Sequence, residues 1–591
     1  MHHIRSFSLI HVLTVLPALV LSAPFSWAQF DDSAGGDWRN IRNGFTIPDE
    51  GYCDQPYIVV TKDGHWLCTL TTGKGREGEK GQHVVAAISE DQGKTWSGLI
   101  DIEPAAGPEA SWVIPLAAPS GRVYAFYDYN GDRLSDRRAD MLGWYVFKYS
   151  DDYGRTWSQE RYRLPVRRTA CDEDNGLPGG IQIFWGIDKP IIHDGCVYFA
   201  FTKLGKYMLD LGEGWVFRSD NLLRESDPKR INWEMLPEGQ HGIRNPRFGS
   251  IQEEHNIVAL DDGSLFCMYR TETGHPCHSY SRDGGRSWSE PEFASYAPGG
   301  RLLKHNRACP AVWKAKNGNY LFWFNNLGDK TFENRNPVWI SGGIEKDGFI
   351  HWSQPEILFY DPDANIRISY PDLIEEDGRY WISQTQKSIA RVSEIDPTLL
   401  EGLWNQGRDK RIAGKGLVYD SKKEKRAGGS IRMPRLPDLR EGGGFSVEFW
   451  MELQSAHAGQ VLFDSRDENG KGILIRTSGN KAVEAVLNDG DYSFAWQSDA
   501  HVLQEGKRCH AVIVVDGGPK IMSMIVDGVL CDGGQERVKG WERFPAGMGG
   551  LNGAVQAVVA PDLPGAVKRL RIYDRHLRTS EAISHFHAGL E

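Results

Sequence analysis

Cysteine is scarce in this chain. There are nine in 591 residues, an odd number, with no Cys-x-x-Cys pair and no Cys/His cluster at zinc-finger spacing. That argues against a disulfide-framed fold and against a structural zinc site. Cys509 and Cys531 fall in one predicted domain and could pair; buried free thiols are the alternative. Long basic runs are also missing, and the formal net charge is -11, which sets nucleic acid aside as the main partner. An acidic protein can still bind an acidic sugar, because the charge lining the pocket decides. After Leu21 no apolar run is long enough to span a bilayer. No cofactor or metal is expected.

What is present is length, glycine and aromatics. A chain of 591 residues is too long for one hydrophobic core, so two or three domains are expected. Aromatics make up 11%, with 20 Trp, and there are 66 Gly. This mixture suits twisted sheets joined by tight turns. Most of the Trp serves as core; a flat indole face also packs well on a pyranose ring. At the N-terminus, His2, His3 and Arg5 precede an apolar run from Leu9 to Leu21, and Ser26-Trp27-Ala28 follows. This reads as a leader (residues 1–28) cleaved after Ala28, giving a secreted or periplasmic protein. The run is short and broken by Pro17 and Pro24, unlike a membrane anchor.

A repeat organises the chain. Ser89 to Trp96 reads SEDQGKTW, Ser150 to Trp157 reads SDDYGRTW, and Ser281 to Trp288 reads SRDGGRSW. All fit S-x-D-x-G-x-[ST]-W. In such a turn Asp accepts from turn amides, Gly takes positive φ, and Trp fills the space between strands. Weaker relics run from Ser219 to Trp233 and from Ser341 to Trp352. The Trp spacings of 61, 76, 55 and 64 residues each hold a four-stranded unit plus a loop. Strand-like runs follow D-G or N-G turns at Asp63-Gly64, Asp262-Gly263, Asn317-Gly318 and Asp377-Gly378. Five Trp-marked units and the strands after Tyr370 predict six blades.

These repeats have the form of Asp boxes, and the chain resembles the sialidase (BNR-repeat) superfamily. The resemblance implies an all-β fold with a six-bladed β-propeller over residues 45–404. A helical segment, Pro397 to Trp404, leads into a charged linker (405–425). Beyond it, strand patterns such as Phe445–Met451 and Ala511–Val515 and the closing run from Val567 to Phe586 resemble laminin-G-like and concanavalin-like β-sandwiches, over 426–591. Such domains bind glycans in some proteins and only pack against a catalytic partner in others.

The superfamily uses a Tyr nucleophile, a Glu that draws off the phenolic proton, an Asp acid/base and three Arg that grip the substrate carboxylate. A phenol avoids the repulsion an anionic sugar would meet from a carboxylate nucleophile. The resemblance places Glu254 before the strand Ile257–Leu260 and Arg270, 16 residues on, at the end of the next. It places Tyr370 in Ser369-Tyr370-Pro371 as the nucleophile and Arg335 in the clamp. Read singly, Glu254 is a loop carboxylate, Tyr370 a core tyrosine and Arg335 an ion-pair partner; in order and in register with the repeats they point to one pocket. Two departures stand out. Asp54 or Gln55 occupies the position of the first clamp Arg, and an Asp there repels a carboxylate. The acid is missing ahead of the first Asp box, where Glu77, Glu79 or His83 could substitute. Glu109, His275, His278 and the basic run Arg301-Leu302-Leu303-Lys304-His305-Asn306-Arg307 are further candidates for the same face, with Arg307 and His305 as anion ligands.

The resulting expectation is a retaining, exo-acting sialidase-like hydrolase cleaving a terminal acidic sugar from a glycan. A lyase or atypical glycosidase on uronic-acid polysaccharide, using His83, His305 or Tyr, and a non-catalytic glycan-binding protein are the alternatives.

Overall fold

A computed structural model describes residues 36–590 apart from 135–137, 174, 176, 178–179, 206–209, 422–428 and 564–565. The leader expected over 1–28 and part of the linker lie outside the described residues. No helix among the described residues is long and apolar enough to cross a membrane.

The structure is all-β, with two α-helices among the described residues, Pro397–Trp404 and Thr579–Ala588. Between residues 45 and 395 the strands form six antiparallel sheets of four or five strands. Their first strands include Tyr52–Val60, Ala110–Ala117, Gln252–Ala259, Ala311–Lys314 and Ser369–Glu376. The sixth sheet is completed from the other end of the chain: Phe45–Ile47 pairs antiparallel with Ala390–Ile395. Polar side chains on the first and second strands stitch neighbouring sheets. Asp372 accepts from Ile58 N at 2.7 Å, Thr71 Oγ1 from Trp112 N at 2.9 Å, and Asn256 Oδ1 from Val312 N at 3.0 Å.

The three full repeats share the same turn bonds from Ser and Asp, for the reason their residues suggest. Ser89 Oγ accepts from Gly93 N at 2.8 Å, Asp91 Oδ1 accepts from Thr95 N at 2.8 Å, and Trp96 Nε1 donates to Gly93 O at 3.0 Å. The Ser–Gly and Asp-to-amide bonds recur at Ser150–Asp152–Gly154 and at Ser281–Asp283–Gly285; the indole bond recurs at Trp288, whereas Trp157 Nε1 is buried without a partner. Gly93, Gly154 and Gly285 all have φ between 82° and 92°, the left-handed region that L residues avoid.

The C-terminal domain is two stacked sheets of seven and six strands around one apolar core. Cys509 and Cys531 are both free and buried, as are the other seven cysteines, so the possible pairing does not form. The two domains share a second core. Phe266, Phe322 and Trp352 of the sheets pack with Val512, Val514 and Tyr573 of the sandwich. Glu356 accepts from Thr579 N and Ser580 N at the start of the last helix, at 2.9 and 2.8 Å, where a carboxylate complements the helix dipole.

Candidate functional site

Four first strands carry the same defect. Register breaks fall between Asp54 and Tyr57, Ser111 and Ile114, Glu253 and Asn256, and Ser369 and Asp372. At each one a non-glycine residue has positive φ: Gln55 (48°), Trp112 (61°), Glu254 (55°) and Tyr370 (48°). A bulge unpairs one residue and re-aims its side chain, at a cost of roughly 1–3 kcal/mol when the backbone is left-handed. These bulges bring the side chains of Tyr370, Glu254 and Trp112 toward one place.

Two of those side chains meet there. The Tyr370 hydroxyl donates to Glu254 Oε1 at 2.9 Å. Arg270 Nη1 lies 2.6 Å from the same oxygen, while its Nε and Nη2 donate to Glu253 Oε2 at 2.9 and 2.6 Å. All four residues are buried. Glu254 Oε2 has no hydrogen-bond partner. Burial pushes the Tyr370 phenol well up, the Glu254 charge adds to this, and Arg270 opposes it. The phenol is thus protonated at rest, against a carboxylate able to take that proton. Burial works against the charge on Arg270, but Glu254 and Glu253 outweigh it and raise its pKa.

A second charge network adjoins the first. Lys387 Nζ sits 4.3 Å above the centre of the Tyr370 ring. It donates to Asp54 Oδ2 at 2.5 Å and lies 3.1 Å from Glu77 Oε2. Asp54 also accepts from the Tyr52 hydroxyl at 2.9 Å and from Gln55 N at 3.0 Å. Burial raises the Asp54 pKa against the pull of Lys387. Glu77 behaves oppositely: burial pushes it up, but Lys387 and then Arg138 hold it down to about 2. Trp112 stacks on Trp185 with centroids 5.7 Å apart and meets Tyr370 edge-on at 6.4 Å, forming an aromatic wall.

Two further arginines complete the cluster. Arg335 Nη1 donates to Ser369 Oγ at 2.9 Å, next to Tyr370, and its Nη2 to Arg307 O at 3.3 Å. Neither Arg307 nor Arg335 forms a salt bridge to a carboxylate among the described residues, and Arg307 Nε is buried without a partner. Burial and then the nearby Arg270 charge lower the Arg307 pKa. The other cations here are spoken for: Arg270 by Glu253 and Glu254, Lys387 by Asp54 and Glu77, Arg138 by Asp140 and Glu77.

The structure therefore gathers Tyr370, Glu254, Arg270, Arg335, Arg307, Asp54 and Glu77, and it leaves other expected residues outside. Glu79 is exposed. His83 stands 3.6 Å from Asp101 and 3.9 Å from Glu50, on the third strand of its sheet. Glu109 accepts a long 3.4 Å bond from Asn130. His305 cannot act as base or anion ligand. Its Nδ1 accepts from Asn325 N, its Nε2 meets Ala308 O at 2.9 Å, and burial pushes its pKa down to about 3. His275 Nδ1 is bound to Leu303 O at 2.7 Å, and His278 stacks on Phe266. Lys304 points away from the arginines and is bonded to the sandwich. Glu77, held anionic by two cations, is a poor proton donor. Sequence reading missed Lys387, Arg138, Trp112 and Trp185. Lys387 reaches Asp54 across 333 residues of chain, and no local pattern signals such a contact.

The inner strands continue past these residues to line a cavity of about 450 Å³, with Tyr57, Lys189, Trp313 and Asp372 in its wall; neither Tyr370 nor Glu254 borders it. Among the described residues no three His, Cys, Asp or Glu side chains are grouped to hold a metal ion.

Residues 109–382 match the BNR repeat-like domain family, and residues 425–583 match the concanavalin A-like lectin/glucanases superfamily. No curated protein matches the sequence. Similar solved structures include a protein of unknown function from Dyadobacter fermentans (12% identity, 60% of this chain and 98% of that one, TM-score 0.43). Trypanosoma rangeli sialidase is 12% identical over 93% of this chain and 97% of its own, with a TM-score of 0.42. A Hadza microbial sialidase is 16% identical over 58% and 66%, with a TM-score of 0.43. The chain thus carries a BNR repeat-like domain followed by a domain of the concanavalin A-like lectin/glucanases superfamily.

Proposed function

We propose that this protein is a secreted retaining glycoside hydrolase that removes a terminal sugar bearing one anionic group, with Tyr370 as nucleophile. The six sheets form the six blades of a closed ring, and the bulged first strands meet at one end of it. The observation that carries the reading is the buried 2.9 Å bond from the Tyr370 hydroxyl to Glu254, with Arg270 on the same carboxylate oxygen.

In the first half-reaction Glu254 takes the phenolic proton as Tyr370 Oη bonds to the anomeric carbon. The bond from that carbon to the leaving oxygen breaks, and a carboxylic acid protonates the departing alcohol. Asp54 fits that role best, since burial raises its pKa and it adjoins the phenol through Lys387. In the second half-reaction water attacks the anomeric carbon and gives its proton to Asp54. The phenolate leaves and regains its proton from Glu254. The anionic group of the sugar sits on Arg307 and Arg335, which form no salt bridge to a carboxylate among the described residues. A lyase based on His83 or His305 is disfavoured, because one ring faces Glu50 and Asp101 and the other is committed to backbone atoms.

Aryl α-sialosides and aryl uronides, followed by proton NMR of the first-formed anomer, test the reading. Retention of configuration in the wild type, with turnover lost in Tyr370→Phe and Glu254→Gln, is expected. An inverted product, an unsaturated product, or full activity in Tyr370→Phe would overturn it.

A further inference from the structure

The basic run that reads as an anion loop leads to a different role for the C-terminal domain. Lys304 is 8% exposed, and its ammonium spends all three protons on the sandwich: Asp532 O at 2.8 Å, Gly534 O at 2.7 Å and Arg537 O at 2.7 Å. An ammonium has three donors and no others to offer. The sandwich loop that wraps it is itself fixed, because Asp499 accepts from Asp532 N at 3.1 Å and Gly533 N at 2.7 Å. Three residues after Lys304 comes Arg307.

The loop that carries Arg335 is held by the same sandwich segment. Val538 O accepts from Gly328 N at 2.7 Å. Trp541, 4% exposed, donates from Nε1 to Asn326 O at 3.0 Å and packs on Trp339 with centroids 6.1 Å apart. Arg543 Nη2 donates to Asn336 Oδ1 at 2.9 Å, one residue from Arg335. The two loops also bond to each other, through Arg307 N to Thr331 O and Arg335 Nη2 to Arg307 O.

We infer that the concanavalin-like domain positions the candidate site: its segment 532–543 clamps the loops bearing Arg307 and Arg335, with Lys304 and Trp541 as the positioning residues. Two arginines beside a third repel one another, and without a bound anion the attachment of their loops to the sandwich adds to the few bonds that hold them together. Backbone carbonyls, an indole N–H and the Arg543 guanidinium supply that attachment, and none of these groups is an anion that would compete with the sugar for the arginines. One broad face of the sandwich is already buried in the shared core, so this domain is a fixed arm of the site. The loop geometry stands on its own; its effect on substrate rests on the function proposed above.

Hydrogen exchange on the full chain tests the clamp without needing a substrate. In Lys304→Met and in Trp541→Ala, peptides covering residues 304–308 and 326–337 should exchange at least tenfold faster. The strands Tyr52–Val60 and Gln252–Ala259 should be unchanged, and Trp541→Phe, which keeps the ring but loses the N–H, should fall between. With any sugar that the wild type cleaves, KM should rise about tenfold while kcat stays within twofold. Lys304→Arg should recover part of the loss. Loops that exchange at the wild-type rate, or exchange that rises equally everywhere, would overturn the inference. If no sugar is cleaved, the function proposal fails, and the exchange data still decide the clamp.

Discussion

Replacing Lys387 with Met removes the cation that faces Asp54 and Glu77 and leaves Asp54, 1% exposed, without a counter-charge. Breaking a buried pair by deleting one partner costs about 3–5 kcal/mol. Lys387 is 23% exposed, and Asp54 keeps its bonds from Tyr52 and Gln55 N, so the lower end, about 3 kcal/mol, applies. The sheets from residue 45 to 395 unfold with an entropy of about 0.7 kcal/mol/K, which converts the loss to about 4 °C in Tm. The loss depends on pH. Burial already raises the Asp54 pKa, so the folded state holds this proton more tightly than the unfolded chain, whose value is about 3.9. Such a group favours folding most at low pH, and that advantage fades as pH rises through the folded pKa. Without Lys387 the folded pKa climbs further. The variant therefore loses less at low pH, where Asp54 can protonate, than at high pH. Thermal melts at pH 5 and pH 8 measure this, and Asp54→Asn combined with Lys387→Met should recover most of the loss. Equal losses at both pH values, or no recovery in the double variant, would refute the reasoning.

Tyr370→Phe should lower turnover by about 10³ or more while changing Tm by less than about 2 °C, because Arg270 still pairs with Glu254. Burial pushes His255, His278 and His305 down to about 3, 4 and 3, so all three are neutral at pH 7. The unfolded chain binds these protons first, near pH 6.5. Their contribution is thus complete above that pH and lost as it falls toward 4, at up to about 1.4 kcal/mol per pH unit for each histidine. His305→Gln should flatten the fall of Tm between pH 6.5 and 4.5, and an unchanged slope would count against it. All nine cysteines are free and buried, so a thiol reagent should find almost none in the native protein and nine in denaturant, with reductant leaving Tm unaltered. Fewer than nine in denaturant without reductant would reveal a disulfide.

Much of the fold was legible because its turns are local. Ser89, Asp91 and Gly93 form their bonds within a few residues, so eight letters specify the turn wherever they recur. Tyr370, Glu254 and Arg270 were placed by the resemblance to the sialidase superfamily, and the structure brings them together. The rest depended on contacts far apart in sequence. Asp54 looked like an unopposed negative charge until Lys387 arrived from the opposite end of the domain. Lys304 looked like an anion ligand because the carbonyls that hold it belong to another domain. His305 looked available because the backbone atoms that engage its ring come partly from another strand's end, at Asn325.

The most direct test of a phenolic nucleophile is to trap it. The protein is treated with a fluorinated glycosyl fluoride of the sugar it cleaves, digested with trypsin, and analysed by mass spectrometry. A glycosyl adduct on Tyr370 within the peptide Ile368–Arg379, absent from Tyr370→Phe, is predicted. An adduct on a carboxylate residue, or the same labelling in Tyr370→Phe, would contradict the account.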